Sequence, residues 1–245
     1  MEKIKIGVIP AAGQGTRMGY LSHILPKCLF PLYDKPILHY VIENMKRVGI
    51  EEIYIVVNFQ KEKIIEYINK VKDEIGINAN FIHVDKILGL LYSILSAKDS
   101  VNEPFMAILG DDVTLTKSLE NLVNKFQNSN AVVVEGVVKE NDSNALKSTC
   151  CVHLGENNKI ERIIEKPSEP TSNLRGTGVY VFDNEIFDYA KKVSVMKSIT
   201  ETIDLVARDG KAYAEFIDGL NINVNSYEDL LNAWTLVKNH NHPLL

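Results

Sequence analysis

The chain has 245 residues, 45% hydrophobic and 24% charged, enough to bury a sizeable core in one domain spanning residues 1–245. A net charge of -5 offers no global attraction to nucleic acid or an anionic membrane, and no apolar run approaches the roughly 18 residues that a membrane span needs. The opening MEKIKIG is too short and too charged for a signal peptide, and Cys28, Cys150 and Cys151 have no metal-like spacing. The expectation is a reduced, cytoplasmic protein whose partners are small molecules, with no nucleic acid and no membrane; a homo-oligomer is left open.

Taken in chain order, Ile- and Val-rich runs at 4–10, 53–58, 80–84, 105–110 and 131–138 predict buried strands. The amphipathic stretches 36–48, 61–73 and 115–127 between them predict helices. After residue 140 the strand signals lie closer together, near 149–154, 158–164 and 176–182, and a last helix is expected over about 227–239. Strands separated by amphipathic helices build an α/β fold, with a mainly parallel sheet covered by helices on both faces.

In an open parallel sheet, ligands bind beyond the carboxyl ends of the strands, where residues 10–19 and 110–112 fall. The first of these segments belongs to VIPAAGQGTRMG. Gly13 and Gly15 let backbone N–H groups approach an anion, while Arg17 and Lys27 offer positive charge, so the segment reads as a triphosphate grip. A dinucleotide fingerprint would need Gly or Ala where Met18 stands, and a P-loop would need Gly-Lys-Ser/Thr after four intervening residues. The plain alternatives are a glycine-rich structural turn and, for Lys27, a solvated surface lysine. Asp111 ends the apolar run FMAILG, where a carboxylate at a strand tip can bind a hard divalent ion. Asp112 beside it can instead cap the next segment, a turn-forming Asp pair being the plain alternative.

AAGQGTRM, followed by PKCLFPLYDKPILHYVIENMKRVGIEEIYIVV, resembles the signature of the sugar-phosphate nucleotidyltransferases. YDKPILHY looks most like the glucose-1-phosphate thymidylyltransferase branch. The likeness continues in family order through ILGDD, IIEKP, GTGVYVFD, SITETIDLVARDG and NVNSYEDLLNA. It implies a Rossmann-like, mixed but mainly parallel sheet of the nucleotidyltransferase type. It also implies transfer of a nucleoside monophosphate from an NTP to a sugar 1-phosphate with release of pyrophosphate, dTTP or UTP and glucose 1-phosphate being favoured. The alternatives are a cytidylyltransferase for a polyol or aminoalcohol phosphate and a binding-only regulatory homologue.

By the same resemblance, Ala11, Ala12, Gly13, Gln14, Gly15, Thr16 and Gly89 contact the nucleotide. Arg17 holds the β- and γ-phosphates and Lys27 the reacting phosphates. Glu165 accepts hydrogen bonds from sugar hydroxyls, Lys166 contacts the sugar's phosphate, and Gly178 leaves room for the ring. Mg²⁺ is the expected cofactor, held by Asp111 and a second ligand near 223–225. The thymidylyltransferase branch has Asp there, whereas this chain has Asn223 and Asn225, of which Asn225 is preferred; an Asx turn capping the following helix is the alternative. The family's base-reading glutamine is absent, with Val84, or His83 after a one-residue shift, in its neighbourhood. A family glycine is likewise missing near Cys150.

Overall fold

The structure, a computed structural model, describes residues 3–193 and 198–239. The first half runs β1 (Ile6–Pro10), α1 (Leu21–Ile24), β2 (Pro31–Leu32), β3 (Lys35–Pro36), α2 (Ile37–Arg47), β4 (Glu52–Val57), α3 (Lys61–Ile75), β5 (Asn78–His83), α4 (Leu90–Ser96), β6 (Phe105–Ile108) and β7 (Asp112–Leu115). The second half continues through α5 (Leu119–Gln127), β8 (Val133–Lys139), α6 (Ser143–Ser148), β9 (Cys150–Leu154), β10 (Ile160–Glu165), β11 (Leu174–Phe182) and α7 (Ile186–Ala190). It closes with α8 (Thr200–Arg208), β12 (Ala212–Phe216), β13 (Leu220–Asn223) and α9 (Tyr227–Asn239).

Seven strands form the central sheet in the order β12-β8-β11-β6-β1-β4-β5. β1 runs parallel to β4 and β6, β4 to β5, and β8 to β12, while β11 is antiparallel to both of its neighbours. The sheet is therefore mixed and mainly parallel, as expected for this class. Because helices cover both faces, its strands read as nearly continuous apolar runs. One face packs Val8, Phe105 and Phe182 against residues of α4, α7 and α8; the other packs Ile9, Ile55 and Val181 against α2, α3 and α5. A third cluster joins Met18 and Phe30 to Val113, Val224 and Leu230, fixing the ribbon of β7 and β13 and the last helix beside the glycine turn.

One expected helix is shortened. The stretch 115–127 becomes helical only at Leu119, because Asp112–Leu115 pairs antiparallel with Leu220–Asn223. Among the described residues no helix is long and apolar enough to cross a membrane.

Candidate active site

β1 and β6 are sheet neighbours, so the segments leaving their carboxyl ends emerge side by side, where an open α/β sheet binds ligands. They are tied together by Gly110 N–H donating to Pro10 O at 3.0 Å, while Ala11 N–H donates to Val56 O of β4 at 2.9 Å. Gly15 adopts φ 63°, a left-handed conformation that costs a glycine little, and opens the short 3-10 turn Thr16–Met18. A Cβ on Gly15 would lie 3.2 Å from Lys27 Cβ, so the turn wraps closely over that lysine. Met18 is buried beneath it and Arg17 stands outside.

The charged groups converge at this point. Arg17 Nη2 donates to Asn225 Oδ1 at 2.5 Å, and Lys27 Nζ donates to the same oxygen at 3.3 Å. Lys27 also forms an ion pair with Asp111, and its side chain is only 12% exposed, so it is no solvated surface lysine. The ribbon delivers the asparagines: Asn223 is the register partner of Asp112, Val224 N–H donates to Asp111 O at 3.2 Å, and Asn225 Nδ2 donates to Asn223 Oδ1. Neither asparagine side chain caps α9. Ser226 Oγ accepts from Asp229 N–H at 3.2 Å, while Asp229 Oδ2 accepts from the N–H groups of Asn225 and Ser226, a reciprocal helix cap.

Asp112 does not cap a turn either. It is wholly buried, accepts from Asn221 Nδ2 at 3.2 Å, and is held well above the usual carboxylate range by burial and then by the charge of Asp111. Gly178 has φ 75°, and a Cβ there would overlap Asp112 Oδ2 and come 2.7 Å from Leu109 Cδ1. The clearance that the sequence reading gave to a sugar ring is, in this structure, filled by the Asp112 carboxyl.

Glu165 and Lys166 lie at the far end of the β9–β10 hairpin. Glu165 accepts from Ser198 Oγ at 3.0 Å and Thr200 Oγ1 at 3.2 Å, and Lys166 takes the left-handed φ of 44° while its N–H donates to Thr149 O at 2.7 Å. A cleft of about 560 Å³ is bounded by Arg17, Thr149, Arg175, Asn223 and Asn225. Glu165 lines a separate groove with Thr200, Asp204 and Arg208, so the structure does not bring it into one cleft with Arg17.

Gln14, Gly15 and Thr16 line a cleft of about 460 Å³ with Asn58, Asp85 and Ile87. Val84, one of the two residues in the missing glutamine's neighbourhood, is buried in the core, and Asn58 Nδ2 donates to its carbonyl at 2.5 Å. Gly89 precedes α4 with φ 118° and is not among the residues lining this cleft. The Ala11 N–H donates to Val56 O at 2.9 Å and so is not free for a base edge. Sequence reasoning missed Asn58 and Asp85, since neither sits in a motif.

Glu135 was also missed. It is wholly buried in β8, and burial followed by the charge of Glu165 raises its carboxyl to about 8. The folded state then holds a proton that the unfolded chain releases near 4.5, so this contribution favours folding at low pH and is lost as pH rises to about 8. The thermal midpoint of the wild type should fall relative to Glu135→Gln across that window and run parallel to it above. A constant difference between the two from about pH 5 to pH 8 would contradict a buried neutral Glu135.

The description "nucleotidyl transferase" attaches to the family model that matches residues 6–237. The chain belongs to the nucleotidyl transferase family. This nucleotidyltransferase is 32% identical over 228 residues to "UTP--glucose-1-phosphate uridylyltransferase AglF" of Haloferax volcanii, with 91% of the chain and 92% of that protein covered. It is 30% identical over 241 residues to "Bifunctional protein GlmU" of Methanococcus maripaludis, covering 96% of the chain and 53% of that longer protein. In fold it is similar to a putative glucose-1-phosphate thymidylyltransferase from Bacillus anthracis solved with sucrose, with a TM-score of 0.88, 23% identity, and coverage of 98% of this chain and 97% of the other. A UDP-glucose pyrophosphorylase complexed with UDP-glucose gives 0.87 at 23% identity, covering 97% and 99%.

Proposed function

We propose that this nucleotidyltransferase transfers the nucleoside monophosphate of UTP or dTTP to a hexose 1-phosphate, with glucose 1-phosphate as the reference acceptor. The observation that carries the reading is the convergence of Arg17, Lys27, Asp111 and Asn225 at the mouth of the glycine turn. The identity to a relative named for UTP and glucose 1-phosphate supports it. A phosphate oxygen of the acceptor attacks the α-phosphorus of the NTP, the bond to the α,β-bridging oxygen breaks, and pyrophosphate leaves with the electron pair. Such a reaction calls for alignment and charge neutralisation rather than a protein nucleophile. Gly13 to Thr16 and Arg17 hold the β- and γ-phosphates, and Lys27, sheltered from water, is placed to stabilise charge on the reacting phosphates.

The oxygens fit a cation. Lys27 Nζ reaches both the Asp111 carboxylate and Asn225 Oδ1, so both are aimed at one point. Among the described residues no group of three or more His, Cys, Asp or Glu could hold a metal. Mg²⁺ would therefore be held by Asp111 with Asn225, or Asn223, and by substrate phosphates, where it neutralises phosphate charge. Asn225→Asp should lower the Mg²⁺ concentration needed for half-maximal rate, because a carboxylate adds Coulomb attraction that an amide lacks, whereas Asn223→Asp should leave it unchanged. A flat Mg²⁺ titration for Asn225→Asp would remove this residue from the metal site.

The reverse direction tests the function. Supplied with pyrophosphate and UDP-glucose or dTDP-glucose, the protein should form UTP or dTTP, detectable by anion-exchange chromatography. Failure to form NTP from either would reject the proposed substrates.

A further inference from the structure

Arg175 has no part in the steps above, yet it is a buried cation in the wall of the cleft that holds Arg17. β11 is antiparallel to both β6 and β8, so β8 ends at the same sheet edge as β6. Arg175 is the register partner of Val138 near that end, which delivers its guanidinium to the ligand edge of the sheet. The side chain is only 8% exposed, and three long contacts hold it: Nη1 donates to Gly176 O at 3.3 Å, Nη2 donates to Asn221 O at 3.3 Å, and Nε pairs with Glu140 at 3.5 Å. A guanidinium carries five N–H donors, and well-formed N–H···O bonds are shorter, about 2.7–3.2 Å. The fork is therefore loosely satisfied at a place where an anion would satisfy it fully.

β13 connects this guanidinium to the reaction centre. Arg175 donates to Asn221, Asn223 follows on the same face of the strand, and Asn225 just beyond accepts from Arg17 and Lys27. Arg17 and Arg175 thus stand at opposite ends of one row of amides. Asp112, raised by burial and by the charge of Asp111, feels Arg175 and Lys27 both pulling the other way, so the two cations act at the same strand tip. Two other acids of the cleft are already engaged: Asp142 accepts from Asn144 N–H at 2.8 Å, and Asp229 accepts from the N–H groups of Asn225 and Ser226. In-line transfer brings the nucleophile to the α-phosphorus from the side opposite the leaving pyrophosphate. With the β- and γ-phosphates at Arg17, that side is the Arg175 end of the row. We propose that Arg175 binds the phosphate of the acceptor hexose 1-phosphate with its planar fork and offsets its charge as it meets the NTP. This rests on the reaction proposed above and adds to it a residue that holds the second substrate.

The test measures the KM of each substrate from pyrophosphate release, with UTP or dTTP and glucose 1-phosphate, in the wild type and in Arg175→Gln. The KM for glucose 1-phosphate should rise about tenfold or more, the worth of one charged hydrogen-bonded contact, while the KM for the NTP stays within about twofold. Arg175→Lys, which keeps the charge but not the planar fork, should fall between the two. A residue that only props β13 through Asn221 O would lower kcat or weaken both substrates alike. That pattern, or an unchanged KM for glucose 1-phosphate, overturns the inference and leaves the transfer reaction standing. If the wild type releases no pyrophosphate with either NTP, the reaction itself has failed. Calorimetric binding of glucose 1-phosphate then decides the inference separately, binding about tenfold weaker in Arg175→Gln supporting it and equal or absent binding rejecting it. Should Arg175→Gln not fold, Arg175→Lys carries the same comparisons: a several-fold weakening toward glucose 1-phosphate is expected, and an unchanged value overturns the inference.

Discussion

Lys27→Ala should lower turnover by about a hundredfold or more, the loss expected when one preorganised electrostatic donor to a transition state is removed. Lys27 is suited to this role because it is largely withdrawn from water, lies under the Gly15 turn and contacts both Asp111 and Asn225. A charge in such a site acts through a lower effective dielectric than one in bulk water and needs no reorganisation during reaction. The variant should also lose some stability, since Asp111 loses its ion-pair partner; the loss stays modest because the Asp111 side chain is 28% exposed. Pyrophosphate release by a folded Lys27→Ala at the wild-type rate would remove the lysine from the reaction.

Asp111→Asn should be as severe, lowering the rate by about a hundredfold or more and flattening its dependence on Mg²⁺. The substitution keeps size and shape but removes the carboxylate that faces the crevice. Asp112 is no substitute, being wholly buried between Asn221 and Gly178, with burial pushing its carboxyl well above the usual carboxylate range. An active Asp111→Asn enzyme with ordinary Mg²⁺ dependence would place the metal elsewhere.

These two residues and Arg17 were legible in the sequence because their signals are local. A glycine-rich turn directly after the first apolar strand, and an acid directly after another, identify the same sheet edge from a few residues each. The strand expected at 53–58 forms as Glu52–Val57 and the helix at 61–73 as Lys61–Ile75, since period-2 and period-3.6 patterns are clean there. The helix Leu90–Ser96 went unseen because LLYSILS offers little polar alternation, and β7 because its partner β13 lies about a hundred residues on. The family resemblance singles out Asn225 as the preferred second ligand, but the contacts made by Asn225 and Glu135 were harder to read. Asn225 meets Arg17 across a sequence separation of 208 residues, which no spacing rule reaches. Glu135 sits inside AVVVEGVV, whose apolar character marks a buried strand but says nothing about whether its single acid finds a partner.

The function is tested most directly in the forward direction. The purified protein, with Mg²⁺, is given each of UTP, dTTP, CTP, ATP and GTP with a panel of hexose 1-phosphates, and pyrophosphate and nucleotide-sugar are measured together. The account predicts equal amounts of the two products, dependent on both substrates, highest with UTP or dTTP, and lost in Lys27→Ala. Absence of nucleotide-sugar from every pair, or its undiminished formation by Lys27→Ala, would contradict it.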